Sequence, residues 1–567
     1  MKNERDEINI KDPLVDLFYP SKEKRNAAKK RAAARKTLPA DLVADLKLEA
    51  LAGALSSYYS NRTLELLSEL CDDPEVINYR LDVLEDFMNI PKLSATVKKT
   101  VNIMIENDRK NIYKLSTPDS FSMLSEAIEA FEAYIECMEI LHAFYIETKD
   151  KIRSQGVRKM FEYFEEQFES EHFKALKKEC SELRDTVRGR IRSVTVAINL
   201  DEYLVPVSAG ILSLSREPYI LKPSLLDRVI YHGANFQSPG KVGSIKNKYS
   251  GRNIEGGQTV NVADKALFDE LEYLSAGYVE KLCDVLEEYQ KITLKDMYAI
   301  SAQLDFYLGA IDMKELAESS GLRMCRPVVS REGETEIKGI FDPIYFREAR
   351  VYNMKNKQTR KVVTNDHSFG KGADFYILTG ANNGGKTTFV RAVGICFAMA
   401  QAGLYVPAES CRLRLSDHIY THFPREEQTG IDASRFTTEI KQFKAISETI
   451  TDRSLLLMNE SVQSTTPREC VDIASEIVRI FCKIGVRGIF ATHLTEIAAK
   501  VPELNAEDPV SKLESIIVLT DEKTGERQYK VVKGKPAESS FAKQLLGQFG
   551  IDSETIVRSA KERAKKV

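Results

Sequence analysis

The chain of 567 residues sets 81 Lys and Arg against 84 Asp and Glu, a net charge of −3. That balance excludes a global polyanion-binding field, so any nucleic-acid contact must come from a local patch. Nine cysteines without CxxC spacing exclude a zinc or disulfide framework and fit buried thiols in a reducing cytosol. The charged N-terminus lacks a signal-peptide core and no apolar run is long enough to span a bilayer. A cytoplasmic chain of about three to four domains, with no membrane partner, is expected.

Residues 1–38 read as a basic arm. Lys22, Lys24, Arg25, Lys29, Lys30, Arg31, Arg35 and Lys36 crowd into one stretch, and interleaved alanines make it a helix former. Such an arm either holds a nucleic-acid backbone or is a solvated helix, and the residues suit both. From Asp41 helical periodicity takes over, with Leu42, Leu46, Ala50 and Leu55, then Leu64, Leu67 and Leu70. After Asp72-Asp73-Pro74 comes a third helix with Val76, Leu81 and Leu84. The longest stripe runs from Leu124 through Phe131, Tyr134, Met138 and Leu141 to Tyr145, the pattern of a helix–helix seam. A second spans Leu267 to Tyr289. Two long helices separated in sequence predict an out-and-back pair of arms in an all-α lever domain over 39–330. Between them, residues 233–262 are glycine-rich and basic (Lys241, Lys246, Lys248, Arg252). They read either as a phosphate-contacting loop or as an exposed connector.

Over 331–567 the pattern changes to alternating strands and helices. Phe375-Tyr376-Ile377-Leu378 reads as a buried strand running into Gly380, four residues, then Gly385-Lys386-Thr387, the phosphate-loop pattern. Glycines let backbone N–H groups converge on phosphate oxygens, Lys386 reaches the β/γ phosphates of ATP, and the Thr387 hydroxyl ligates Mg²⁺. A helix follows, with Phe389, Val393, Phe397 and Ala400 on one side and its N-terminus favouring the anion. A second apolar strand, Leu455–Met458, ends in Asn459-Glu460, where phosphate-loop ATPases carry a metal-holding Asp and a water-polarising Glu. Asn459 brings no charge, so metal affinity and turnover should suffer. A third strand, Val486 to Ala491, ends in Thr492-His493 and places an imidazole toward the γ-phosphate.

TGANNGGKTT, AQAGLYVPAESCRL, DASRFTTEI, LLLMNE and ATHLTEIA stand here in the order and at about the separations of the MutS family of DNA mismatch-repair proteins. LVADLKLEALAGALSSYYSNRTLELLSEL resembles the start of that family's helical core, and VKGKPAESSFAKQLLGQFGIDSETIVRSAKE its closing strand and helical dimerisation segment. The resemblance implies an ABC-type α/β ATPase domain preceded by the helical lever domain. It also implies roles: Asn382, Asn383, Gly384, Gly385, Lys386, Thr387 and Thr388 cradle phosphates and Mg²⁺. Ser434 reaches the γ-phosphate of a partner subunit, Glu460 is the catalytic carboxylate, His493 the switch histidine, and Asn459 sits at the metal position. With Ser434 acting in trans, the expected active unit is a homodimer with composite ATP sites.

Several departures qualify this. Asn459 replaces the metal-binding Asp, Asp342-Pro343 stands where the family has His-Pro, and Thr465–Glu469 looks closer to the branch not devoted to mismatch repair. The chain begins almost at the helical core, so neither a mismatch-reading Phe-x-Glu domain nor an appended nuclease domain is expected. The resemblance therefore implies an ATPase clamp on branched or structured DNA, in repair or recombination. An RNA- or ribosome-directed clamp and a slow-turnover nucleotide-gated scaffold are the alternatives.

Overall fold

The computed structural model describes residues 15–35, 41–56, 58–113, 120–187, 193–203, 206–215, 297–356, 359–381, 384–423, 432–462, 466–520, 527–535 and 553–564. They fall into two compact units. One gathers the described residues within 1–94, 150–160 and 302–567, the other those within 95–149 and 161–301.

In the second unit the helix Ser120–Thr148 spans the predicted stripe. Phe131, Tyr134, Met138, Leu141 and Tyr145 are buried. Tyr134 meets Phe173 edge-on at 6.0 Å and Tyr145 stacks on Phe161 at 5.2 Å, geometries that add to plain area burial. The helix Glu171–Val187 packs along it. The expectation of an all-α domain needs correction here. Strands β1 (Ser193–Leu200) and β2 (Pro206–Ser215) pair antiparallel, Ser193 opposite Ser215. Val194, Thr195, Val196 and Ile198 are β-branched, stiff at χ1 and suited to a pleated surface rather than a helix. The expected loop 233–262 and the expected helix 267–289 lie outside the described residues.

The first unit carries two sheets. Strands β3 (Val328–Ser330), β4 (Thr335–Ile340), β5 (Asn365–Phe369) and β7 (Ser410–Arg414) form the smaller, in the order β3-β7-β4-β5. The larger is built from β6 (Phe375–Thr379), β8 (Ile419–His422), β9 (Leu455–Asn459), β10 (Arg487–Ala491), β11 (Leu513–Thr520) and β12 (Arg527–Lys533), in the order β12-β11-β6-β10-β9-β8. All neighbours in it are parallel except β11 and β12. Strands β6, β9 and β10 are buried at every position, which is why they are largely apolar, with Arg487 buried at the start of β10. Asn365 ties the two sheets together. Its Nδ2 donates to the Tyr529 carbonyl (3.1 Å) and its Oδ1 accepts the Val531 N–H (2.8 Å), so one amide occupies the open edge of β12.

The helix after β6, Lys386–Ala402, is buried nearly all round, not on the single face expected. It lies on β9 and β10, and the helices Ser60–Glu69 and Pro74–Asn89 cover its other side. Gly394 faces Leu46 and β9 closely: a Cβ would sit 2.6 Å from a Leu46 methyl and 2.8 Å from one of Leu457, and these methyls would have to shift. At the helix C-terminus Gly403 turns left-handed (φ 79°) beneath Arg80, whose Nη1 donates to the Ala402 carbonyl (3.3 Å). Arg80 is fully buried, donates to the Phe18 carbonyl (2.9 Å), pairs with Glu69 (3.3 Å) and lies over the Tyr19 ring.

The basic arm is partly engaged within the protein. Its helix, Lys22–Arg35, pairs Lys24 with Asp73 (2.7 Å), Arg25 with Asp16 (2.6 Å) and Arg31 with Asp72 (3.1 Å). No helix among the described residues is long and apolar enough to cross a membrane. The described cysteines are free thiols, all buried save the half-buried Cys325.

Two outcomes follow from this packing. Arg80→Ala strands Glu69 and the helix-end carbonyl and should lower unfolding free energy by about 3–5 kcal/mol, read from denaturant midpoints. His367, buried on β5 among the edges of Phe369, Tyr376 and Phe389, has its pKa pushed by desolvation from 6.5 to about 3. The unfolded chain then takes the proton first, so stability drains away as pH falls from 6.5 toward 3 and is untouched above 6.5. Between pH 7 and 4.5 the wild type should lose about 2 kcal/mol more than His367→Phe, measured by urea unfolding at each pH.

Candidate ATP site at the C-terminal edge of the large sheet

Parallel strands present their C-terminal ends on one edge of a sheet, and ligands of open α/β sheets gather there. The ends of β6, β10 and β9 bring the predicted residues to that edge. From β6 the chain passes Gly380 (φ 149°) and enters the helix through Gly384 and Gly385 (φ 93°). A Cβ on Gly384 would lie 2.8 Å from the Ala381 carbonyl oxygen, and one on Gly385 3.2 Å from the Tyr529 ring. The first position excludes a side chain through the fixed backbone oxygen, and the second disfavours one through its left-handed φ.

Lys386 opens the helix with its ammonium turned back over the turn. Nζ donates to the Gly380 carbonyl (3.0 Å) and the Ala381 carbonyl (3.3 Å), and stands 3.4 Å from both ring nitrogens of His493. Desolvation lowers its pKa from 10.5 to about 8, with Glu460 acting the other way. A buried cation held mainly by neutral carbonyls is under-compensated, and an anion supplies what is missing.

Thr387 is the next residue along, and its Oγ1 donates to the Asn459 Oδ1 (3.0 Å), joining the helix start to the end of β9. Glu460 follows in a left-handed conformation (φ 51°), with its N–H on the Ala491 carbonyl (2.7 Å). Its Oε1 lies 2.6 Å from His493 Nε2. The Thr492 N–H reaches the Leu378 carbonyl (2.9 Å), so β6 and β10 stay paired to their last residues.

Lys386, Thr387, Asn459, Glu460 and His493 thus converge, and Lys386, Thr387, Thr388 and Glu460 line a cavity of about 370 Å³. Asn382 and Asn383 lie outside the described residues. Ser434 falls in the first turn of the helix Asp432–Ser447, where the backbone alone is described. The far wall was missed by the sequence reading: Phe341, Tyr345, Lys361 and Tyr529 face the glycine turn across the cavity. Tyr529 carries no motif, and only its place on β12 beside Asn365 brings it there. The Asp342-Pro343 departure now has a physical account. Asp342 caps the helix Pro343–Lys355 by accepting the Ile344 and Tyr345 N–H groups (2.8 and 3.1 Å), while its other oxygen takes Arg391 Nε (2.7 Å).

Two family profiles match the chain: MutS domain V over residues 376–567 and the MutS2 N-terminal domain over residues 72–319. The chain belongs to the MutS family. Among curated relatives, this MutS-family chain is 30% identical over 292 residues to the DNA mismatch repair protein MutS of Thermotoga petrophila, covering 51% of the chain and 34% of the relative. It is 32% identical over 259 residues to that of Thermosynechococcus vestitus (44% and 28%). It is 24% identical over 398 residues to the endonuclease MutS2 of Ligilactobacillus salivarius (69% and 45%). The matched region spans less than half the length of each. Domain V of the family is an ABC-type ATPase domain, and the family is one of DNA-repair ATPases.

Proposed function

We propose that this MutS-family chain is a nucleotide-driven DNA clamp. In this reading an ATPase module over 331–567 hydrolyses ATP, and the helical segment over 39–330 closes on branched or structured DNA. The observation that carries it is the convergence of Lys386, Thr387, Asn459, Glu460 and His493 beside a glycine turn.

The residues suit ATP and Mg²⁺. The glycine turn leaves the backbone open to phosphates, and Lys386 is a buried cation short of negative charge. Among the described residues no group of three or more His, Cys, Asp and Glu side chains could hold a metal. The donor set is the Thr387 hydroxyl and Asn459 amide oxygen, which matches an ion that keeps waters and relies on substrate phosphates. Bound Mg²⁺ would neutralise charge on the β/γ oxygens. Lys386 exchanges its carbonyl partners for phosphate, Glu460 leaves His493 to orient and polarise water, and His493 holds that carboxylate until then. Asn459 makes the metal site weaker and turnover slow.

Dimerisation would complete each site with the partner's Ser434. The C-terminal helix Ser553–Ala564 supports this, since it exposes Ile556 and Val557 at 44% and 49%. Contacts to DNA would be chiefly to phosphate and salt-dependent. With Lys24, Arg25 and Arg31 engaged internally, the basic arm contributes less of that charge than its composition promised.

Steady-state ATP hydrolysis tests the reading, measured with duplex, four-way-junction and single-stranded DNA and with structured RNA. Stimulation by junction DNA, abolished in Lys386→Ala, is expected; stimulation by RNA alone would redirect the clamp to RNA through the 2′-OH. Tight ATP binding without turnover would make it a nucleotide-gated scaffold. Asn459→Asp should tighten the apparent Mg²⁺ affinity of nucleotide binding by about tenfold, given the added charge on a metal ligand. An unchanged Mg²⁺ titration would sink the assignment of this position.

A further inference from the structure

His422 ends β8, one strand outward from the Asn459–Glu460 edge, and none of the motifs includes it. The ring is 4% exposed and stacks on Phe443 at 4.4 Å. Its Nδ1 lies 2.7 Å from Ser461 Oγ and its Nε2 3.0 Å from Gln442 Oε1. Ser461 immediately follows Glu460, is itself buried, and its Oγ also contacts the His422 carbonyl (3.0 Å). Gln442 and Phe443 both belong to the helix Asp432–Ser447, whose first turn contains Ser434. One imidazole therefore joins the turn of the candidate catalytic carboxylate to the helix of the candidate trans-acting serine.

The turn it grips is under strain. Glu460 and Val462 have φ of 51° and 60°, a region that a β-branched residue rarely enters. Such a conformation persists only where surrounding contacts over-determine it. Val462 is fully buried, and Ser461 between the two is held by His422. Burial also lowers the pKa of His422, which favours the neutral ring. A neutral ring has one N–H; because the Gln442 Oε1 only accepts, that N–H sits on Nε2, and Nδ1 accepts the Ser461 hydroxyl, so one tautomer makes both bonds.

We propose that His422 is a positioning residue that couples the Glu460 turn to the Asp432–Ser447 helix, so that nucleotide at one subunit's own site shifts the helix offered to its partner. The coupling rests on the ATP-site reading above. Because Ser461 and Gln442 grip opposite sides of one rigid ring, rearrangement of the Glu460 turn displaces the helix through two short hydrogen bonds. The aromatic stack keeps the ring from tilting out of line.

The test is amide hydrogen exchange of the full chain with and without ATP·Mg²⁺, in wild type and in His422→Phe, which retains the stack and loses both hydrogen bonds. Wild type should change its exchange both at 459–462 and over 432–447. His422→Phe should keep the first change and lose the second, with ATP affinity within about twofold and kcat down about tenfold or more. Gln442→Leu should reproduce the effect, and the double variant should be no worse than either single. Should His422→Phe fail to fold, Gln442→Leu alone decides. Retention of the helix response in the variants, or loss of ATP affinity, kcat and unfolding midpoint together, would overturn the coupling. Glu460→Gln separates the two layers: full turnover in it would remove the ATP-site reading, whatever the variants at His422 and Gln442 do.

Discussion

The burial of the Lys386–Ala402 helix from all sides is the constraint on which the rest of the first unit depends. A helix beside a parallel sheet ordinarily hides one face and wets the other. This one is pressed by β9 and β10 below and by two N-terminal helices above, and at Gly394 the methyls of Leu46 and Leu457 would have to shift to admit even one more carbon. Its N-terminus is the glycine turn and its C-terminus rests on Arg80. The guanidinium complements the negative end of the helix dipole, and Glu69 with Tyr19 completes its surroundings. Helices from the start of the chain are thereby welded to the helix that carries Lys386.

Rigidity at the back of the sheet contrasts with stored tension at its front edge. Lys386 is a buried ammonium resting on carbonyls, Glu460 and Val462 hold left-handed dihedrals, and the Glu460 carboxylate is turned onto His493. The buried ammonium and the left-handed dihedrals are each costly alone, and in the proposed function a phosphate-bearing ligand would relieve the first and movement of the turn the second. Asn459 joins this edge to the helix start, because its amide oxygen accepts the Thr387 hydroxyl. An aspartate there would leave two carboxylates at the end of β9, Asp and Glu side by side, with Lys386 as the nearby cation.

Much of the first unit was legible in the sequence because its signals are local. An apolar run, a glycine turn with Lys and Thr, and an amphipathic continuation define strand, loop and helix within thirty residues or so, a scale at which periodicity is informative. The ends of β9 and β10 were equally readable. The β1–β2 hairpin was not anticipated, since a short β-branched run amid long helices is easily absorbed into them. Internal ion pairing of the basic arm was also hidden, because Asp16, Asp72 and Asp73 become its partners only when the chain folds back.

What the sequence determined by itself is the chemistry on offer: a glycine turn with the phosphate-loop spacing, an acidic residue after an apolar strand, a histidine after another, and an uncharged Asn459 before the acid. Those properties are written in residue type and short spacing, so no partner from elsewhere in the chain is needed to read them. Tertiary structure alone decided who meets whom. It set Tyr529 opposite Gly385 through the grip of Asn365 on β12, and placed Arg80 beneath a helix more than three hundred residues later. It likewise put His422 between Ser461 and Gln442. Such contacts are made by lone side chains at large sequence separation, where neither period nor motif constrains them and only the closed packing of the sheets and helices does.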